Sequence, residues 1–171
     1  MKAWPLILLL LITCSLACKP EKKEQIGERQ KQMAQRVSVW VDSCWNERNF
    51  KALEGLTSST STRYMNGVRV AEGSAELEAH LQLFFTAFPD LVITTEEIQY
   101  KDSLAFFQWN AQGTNTGVFG EVRPTGKRVN INGLSHLSFS EEGKIIQEIV
   151  YYNELELLQQ LGYTLIPPNL E

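Results

Sequence analysis

Cysteine and histidine are scarce in this sequence, at three and two of 171 residues, and that scarcity removes several chemistries at once. Cys14 lies in the N-terminal apolar stretch, Cys18 comes soon after it, and Cys44 stands alone further on. No intramolecular disulfide or cysteine-based metal site follows from such a set. HExxH, GxSxG and a glycine-rich phosphate loop are all absent, which excludes the chemistries those motifs carry. There is no basic block, and the net charge is −4, so the footprint of a nucleic-acid binder is missing. The main apolar run, Pro5 to Ile12, is too short to cross a hydrocarbon core of about 30 Å. No internal repeat is present.

What the N-terminus does have is the pattern of an export signal. Lys2 supplies the positive start, Pro5 to Ile12 the apolar centre, and Ser15-Leu16-Ala17 the small-residue approach to Cys18. Residues 1–17 therefore read as a signal peptide. Ser15-Leu16-Ala17-Cys18 resembles the bacterial lipobox, with serine where leucine is usual, and the resemblance implies that Cys18 carries lipid. An ordinary signal cut near Ala17 would instead leave Cys18 as an exposed thiol. Each buried acyl methylene contributes about 0.8 kcal/mol, so two or more chains would hold the protein on a membrane. Residues 18–32 are charged and apolar-poor and cannot bury enough surface to fold alone. They form a tether, giving an exported, envelope-located protein that meets the membrane through its anchor only.

Residues 33–171 have the length of one domain, in a chain with 43% apolar residues. From Gln32 to Asn49, Met33, Val37, Trp40, Val41, Cys44 and Trp45 recur at helical spacing, which makes Cys44 a small buried hydrophobe. A short helix near Asn49 to Leu56 precedes the polar run Thr57 to Thr62, read as a loop, and a short strand at Arg63 to Gly67. Ser74 is placed to cap a helix over Ala75 to Ala87, with the stripe Leu77, Leu81, Phe84 and Phe88. His80 falls beside that stripe, one turn from Glu76, as a rim residue meeting solvent. Leu91–Tyr100 and Ser103–Gly113 read as strands, and Pro124-Thr125-Gly126 as a turn.

The strongest pattern is the last hairpin, Gly126 to Asn153. Val129, Ile131, Leu137 and Phe139 alternate with Asn130, Asn132, His136 and Ser138, as in a strand with two unlike faces. Glu141-Glu142-Gly143 fits a three-residue loop whose glycine takes the left-handed position. With Ser140 and Lys144 closing the loop, His136 is expected opposite Glu148, Leu134 opposite Val150, and Asn132 opposite Tyr152. One face would then carry Asn132, His136, Glu148 and Tyr152, the other Ile131, Leu137, Ile149 and Tyr151. Asn153 and Glu156 form a capping-box-like start to a last helix ended by Gly162, and the tail through Leu165 and Ile166 is expected to dock. Helices first and strands after them make an α+β domain, a curved, mostly antiparallel sheet with N-terminal helices packed over it to leave a cone-shaped pocket.

Alanine-Phe-Pro-Asp at 87–90, GTNTG at 113–117, PTGKRV at 124–129, GLSHLSF at 133–139 and EEGKIIQEIVYYNELELLQQLG at 141–162, with YMNG at 64–67, resemble the SnoaL-like polyketide cyclase or ester-cyclase family. That resemblance implies the cone fold of nuclear transport factor two. It also implies an intramolecular aldol closure with no metal or cofactor, in which an aspartate moves a proton and histidines hold a polarised carbonyl. The match puts His136 at a pocket histidine, but Val150 where the aspartate stands, Tyr64 and Asn115 where histidines are frequent, and Gln108 where many members have arginine. A valine cannot carry a proton.

Two functions follow from these residues. One is a pocket that binds a small apolar or aromatic molecule, lined by Tyr64, Phe106, Gln108, Asn115, Asn132, Val150 and Tyr152, with Trp109 adding to the aromatic supply. The other is a cofactor-independent cyclase, isomerase or hydrolase in which His136 and Glu148 act as an acid–base pair. An outer sheet face that stays apolar would add a homodimer contact.

Overall fold

Buried alternate residues on four neighbouring strands fix which face of the sheet is the inside. The computed structural model describes residues 20–167. Residues 1–17, Cys18 and the last four residues lie outside them. Helix α1, Pro20–Ser38, runs without a break into a π-helical segment, Val39–Asn46. Then come α2 (Lys51–Leu56), β1 (Thr57–Met65), β2 (Val68–Glu72), α3 (Gly73–Ala87), β3 (Val92–Lys101), β4 (Leu104–Thr114), β5 (Arg128–Phe139), β6 (Ile145–Tyr152) and α4 (Glu154–Leu161). The six strands form one sheet in the order β2-β1-β6-β5-β4-β3. Only the β1–β6 pairing is parallel. This is the α+β arrangement that the pattern predicts.

The expected helical stripe is the core side of α1 and the π-helical segment, where Met33, Val37, Trp40, Val41, Cys44 and Trp45 are all buried. Residues 27–32 of α1 are exposed, so this part of the charged stretch is helical and solvated, and burial begins at Met33. The widening to a π-helix is marked by the Glu47 N–H donating to the Asp42 carbonyl, five residues back. It turns Trp45 onto the same side as Trp40, and their rings meet edge to face at 6.1 Å. These side chains pack on Ala105 and Phe107 of β4 and Val129, Ile131, Leu137 and Phe139 of β5.

Several local expectations are corrected. Thr57 to Thr62 is strand and not loop, because Thr57 and Ser61 turn inward with Arg63 and all three are buried. Alternation of small polar residues carries no apolar signal, and β2 beside it is an edge strand with Val68 exposed. Helix α3 begins at Gly73, and the cap is reversed from the expected one: Glu76 reaches back to accept the Glu72 N–H at 2.9 Å. The tail does not dock, since Leu165 and Ile166 are 69% and 86% exposed. At the last helix the expectation holds: Asn153 accepts the Glu156 N–H at 3.1 Å, and Gly162 closes it with φ 106°.

The central correction is the hairpin register. The loop forms as expected, with the Ser140 N–H donating to the Lys144 carbonyl at 2.8 Å and Gly143 at φ 76°. A bulge follows it. Phe139 pairs with Ile145 but Ser138 pairs with Gln147, so Ile146 is an extra residue on β6. One extra residue turns every later side chain to the other face. His136 is therefore opposite Ile149, Leu137 opposite Glu148, Ser135 opposite Val150 and Gly133 opposite Tyr152. His136 and Glu148 lie on opposite faces of the sheet.

His80 is not a solvent-facing rim residue. Its ring packs edge-on against Phe84 at 5.4 Å, and Nε2 lies 3.0 Å from Met65 Sδ. Burial, and then the charge of Arg63, lower its pKa from 6.5 to about 4. The unfolded chain therefore binds this proton first as pH falls. The stability that neutral His80 contributes is complete above about pH 6.5 and is lost on descent toward about pH 4. Urea titrations at pH 7, 5.5 and 4 should show wild type losing more stability with falling pH than His80→Gln. Parallel losses in the two proteins would contradict the assignment.

Candidate functional site

Between the inward sheet face and the helical cover lies an apolar cavity of about 80 Å³. At about 10–15 Å³ per water-sized group, it has room for a single ring with a short substituent. Trp40, Trp45, Phe84, Phe107, Trp109 and Val150 supply much of its wall. Among its lining residues only Arg63 and Glu148 are charged.

Those two side chains face each other because β1 and β6 run parallel with Arg63 in register with Glu148. Both are about 4% exposed, and Arg63 Nη1 donates to Glu148 Oε2 in a buried salt bridge. Glu148 Oε1 accepts two more bonds, from Trp40 Nε1 at 3.2 Å and Ser135 Oγ at 3.1 Å. Ser135 in turn accepts from Trp109 Nε1 at 3.1 Å. Four elements thus converge on one carboxylate. The Arg63 guanidinium carbon sits 5.1 Å from the Trp45 ring centre and 5.8 Å from that of Trp40, while its Nε is buried without a partner.

Burial pushes the Glu148 carboxyl up, against the opposing pull of Arg63, Ser135 and Trp40. Burial pulls Arg63 down, with Glu148 opposing. The hydrogen bonds on Glu148 are those of an ionised acceptor, so the pair is a salt bridge of zero net charge. Tyr152, further along the same face of β6, has its hydroxyl raised to about 12, by burial first and then by Glu154. It stays a neutral donor.

Close packing holds the Trp109 indole in place. A Cβ on Gly133 would fall 2.1 Å from Trp109 Cζ2, so only glycine lets the ring lie across β5 and reach Ser135.

Of the residues read from the sequence, Glu148, Val150 and Tyr152 line the cavity. Phe106, Gln108, Asn132 and His136 stand on the opposite sheet face, where His136 stacks on Phe106 at 4.5 Å and 16°. Tyr64, between Arg63 and Met65, points the same way. Asn115 is fully buried but serves a loop: it donates to the Gly117 carbonyl at 2.8 Å and accepts from the Thr125 N–H at 2.8 Å. Sequence reasoning missed Arg63, Ser135 and Trp40 as site residues. The available signal was the inward alternation Ser61, Arg63, Met65, which places a guanidinium where a buried glutamate needs one. Among the described residues no cluster of three histidine, cysteine, aspartate or glutamate side chains is placed to hold a metal ion.

Comparison with known proteins gives one family and one fold. A family model described as SnoaL-like polyketide cyclase matches residues 35–161. Among solved structures, a candidate SnoaL-like polyketide cyclase from Jannaschia sp. CCS1 superposes with TM-score 0.72 at 17% identity, over 79% of this chain and 94% of that one. IdmH, a candidate polyketide cyclase from Streptomyces antibioticus, gives 0.66 at 19% identity, over 77% and 99%. AclR, a candidate hydroxylase from Streptomyces galilaeus, gives 0.65 at 24% identity, over 84% and 90%. No curated protein matches the chain.

Breaking the buried pair on one side should cost more than removing both charges. Arg63→Met leaves Glu148 buried without its cation and should lose about 3–5 kcal/mol in urea unfolding. Arg63→Met combined with Glu148→Leu should recover most of that loss. A double variant less stable than the single one would mean the pair contributes net stability beyond mutual compensation.

Proposed function

Because this chain belongs to the SnoaL-like polyketide cyclase family, with its cone fold, we propose that it uses the cone cavity to bind a small apolar or aromatic molecule. The observation that carries this reading is a ring-sized aromatic cavity whose two charged residues neutralise each other at its buried end. Apolar walls with a few fixed polar groups are the usual composition of a small-molecule site. In this reading Val150 occupies the position of the family's proton-carrying aspartate, and the cavity holds its ligand without turning it over.

The acid–base alternative loses its second member, because His136 and Glu148 are separated by the sheet. Glu148 alone is held by Arg63, Ser135 and Trp40. Both of its oxygens are engaged by fixed donors, which would have to be displaced before it could take a proton from carbon. In the same proposal a lipid on Cys18 holds the domain to a membrane of the cell envelope, facing the periplasm or the surface, and the SLAC sequence and the charged stretch to residue 32 support this. Leu134, Ile146 and Tyr151, 39%, 41% and 53% exposed on or beside the outer sheet face, support pairing of two copies through that face.

Two measurements check these statements. Toluene should quench tryptophan fluorescence of the domain saturably, and Val150→Phe, which fills the cavity, should abolish the quench while the protein still unfolds cooperatively. Absence of saturable quenching by toluene in wild type would sink the cavity reading. Sedimentation of the domain without its first 17 residues should show a dimer at high micromolar concentration, and monomer throughout would remove the pairing.

A further inference from the structure

We propose that Glu148 is a resident counter-ion that closes Arg63 to ligand carboxylates, so that the cavity selects neutral single-ring molecules carrying one acceptor oxygen; this rests on the binding reading above. Donors and acceptors at the polar end are unequal. Glu148 accepts three bonds, one from each of three elements. Arg63, which lines the cavity, carries five N–H donors and uses one of them on Glu148; its buried Nε and Ser61 Oγ have no partner, and both residues line a second pocket of about 10 Å³. Donors left unmatched in an apolar site are costly, and the Arg63 guanidinium has more N–H groups than Glu148 takes up, so an incoming acceptor oxygen is what this end of the cavity is short of.

Charge then decides which acceptor. Arg63 and Glu148 sum to zero, and among the described residues no other charged side chain lines the cavity. A carboxylate would leave a net negative charge in an apolar enclosure, 4% exposed at the pair, against the already buried Glu148. A ketone, aldehyde or amide oxygen brings the lone pairs without the charge. An ammonium would meet the guanidinium of Arg63 beside an acceptor that already takes three bonds. Glu148 thus fills on Arg63 the place that a ligand's own carboxylate would take, and Trp40 and Ser135 hold it there. The volume, about 80 Å³, limits the partner to one ring.

The test compares three probes of similar size at pH 7 by isothermal titration and tryptophan quenching: acetophenone, ethylbenzene and benzoate. Wild type should bind acetophenone roughly tenfold or more tightly than ethylbenzene, the ratio expected for one hydrogen bond from a charged donor, and should not bind benzoate. Glu148→Gln keeps the shape and frees the Arg63 charge. It should gain benzoate binding by at least about tenfold and keep acetophenone. Equal affinity for acetophenone and ethylbenzene overturns Arg63 as the head-group donor, and wild-type binding of benzoate as tight as acetophenone overturns the role of Glu148. A folded Glu148→Gln that still binds ethylbenzene but rejects benzoate also overturns it. If that variant does not fold, the wild-type panel decides alone. Binding of none of the three probes fails the cavity reading itself, and the inference with it.

Discussion

A salt bridge buried at the end of an apolar cavity is the constraint around which this domain is arranged. Two ions removed from water cost several kcal/mol each, and here the compensation is distributed over distant parts of the chain. Arg63 comes from β1, Glu148 from β6, Ser135 from β5 and Trp40 from the π-helical segment. Each bond requires its element to be correctly seated. The pair therefore ties the helical cover to three strands through a single carboxylate, and any displacement of one element exposes or orphans the others.

The parallel β1–β6 pairing makes the salt bridge possible, and the bulge at Ile146 aims it. Without the extra residue Glu148 would point outward beside His136, and Gln147 would take its place in the core. Ile145 is buried against Phe139 and Ile146 is 41% exposed, as plain alternation would also place them, so the bulge changes the face only from Gln147 onward. A sheet with one dry face cannot tolerate a free register. Here the two registers differ in whether Gln147 or Glu148 goes in, and Arg63, Ser135 and Trp40 are placed to receive Glu148.

Much of this was legible from residue order. The helical stripe from Met33 to Trp45, the alternation in β4 and β5, the hairpin loop at Gly143 and the cap at Asn153 all rest on periodicity or on one residue's backbone preference. Those signals are local. The errors share a different origin. A bulge costs one residue and leaves no mark on a period of two, so the wrong partners on β5 were set beside β6, and His136 and Asn132 were brought into a cavity that they never reach. The first part of β1, Thr57 to Thr62, reads as a loop because its inward residues are Thr57 and Ser61, and the strand shows itself only with Arg63, whose burial depends on Glu148, 85 positions later. A polar strand is readable only once its partner is known.

The same dependence explains the inward order of β6. Glu148, Val150 and Tyr152 point into the cavity at successive alternate positions, from a fully buried carboxylate through an apolar middle to a partly exposed phenol. Val150 is two residues from Glu148, directly opposite Ser135, and is itself 1% exposed. An aspartate there would set a second carboxylate beside the first, with only Arg63 to neutralise both. Valine and the Arg63–Glu148 pair are thus one solution: once the cavity's single cation is committed to Glu148, the neighbouring inward position has to be neutral. A neutral residue at position 150 is what charge balance in the cavity favours.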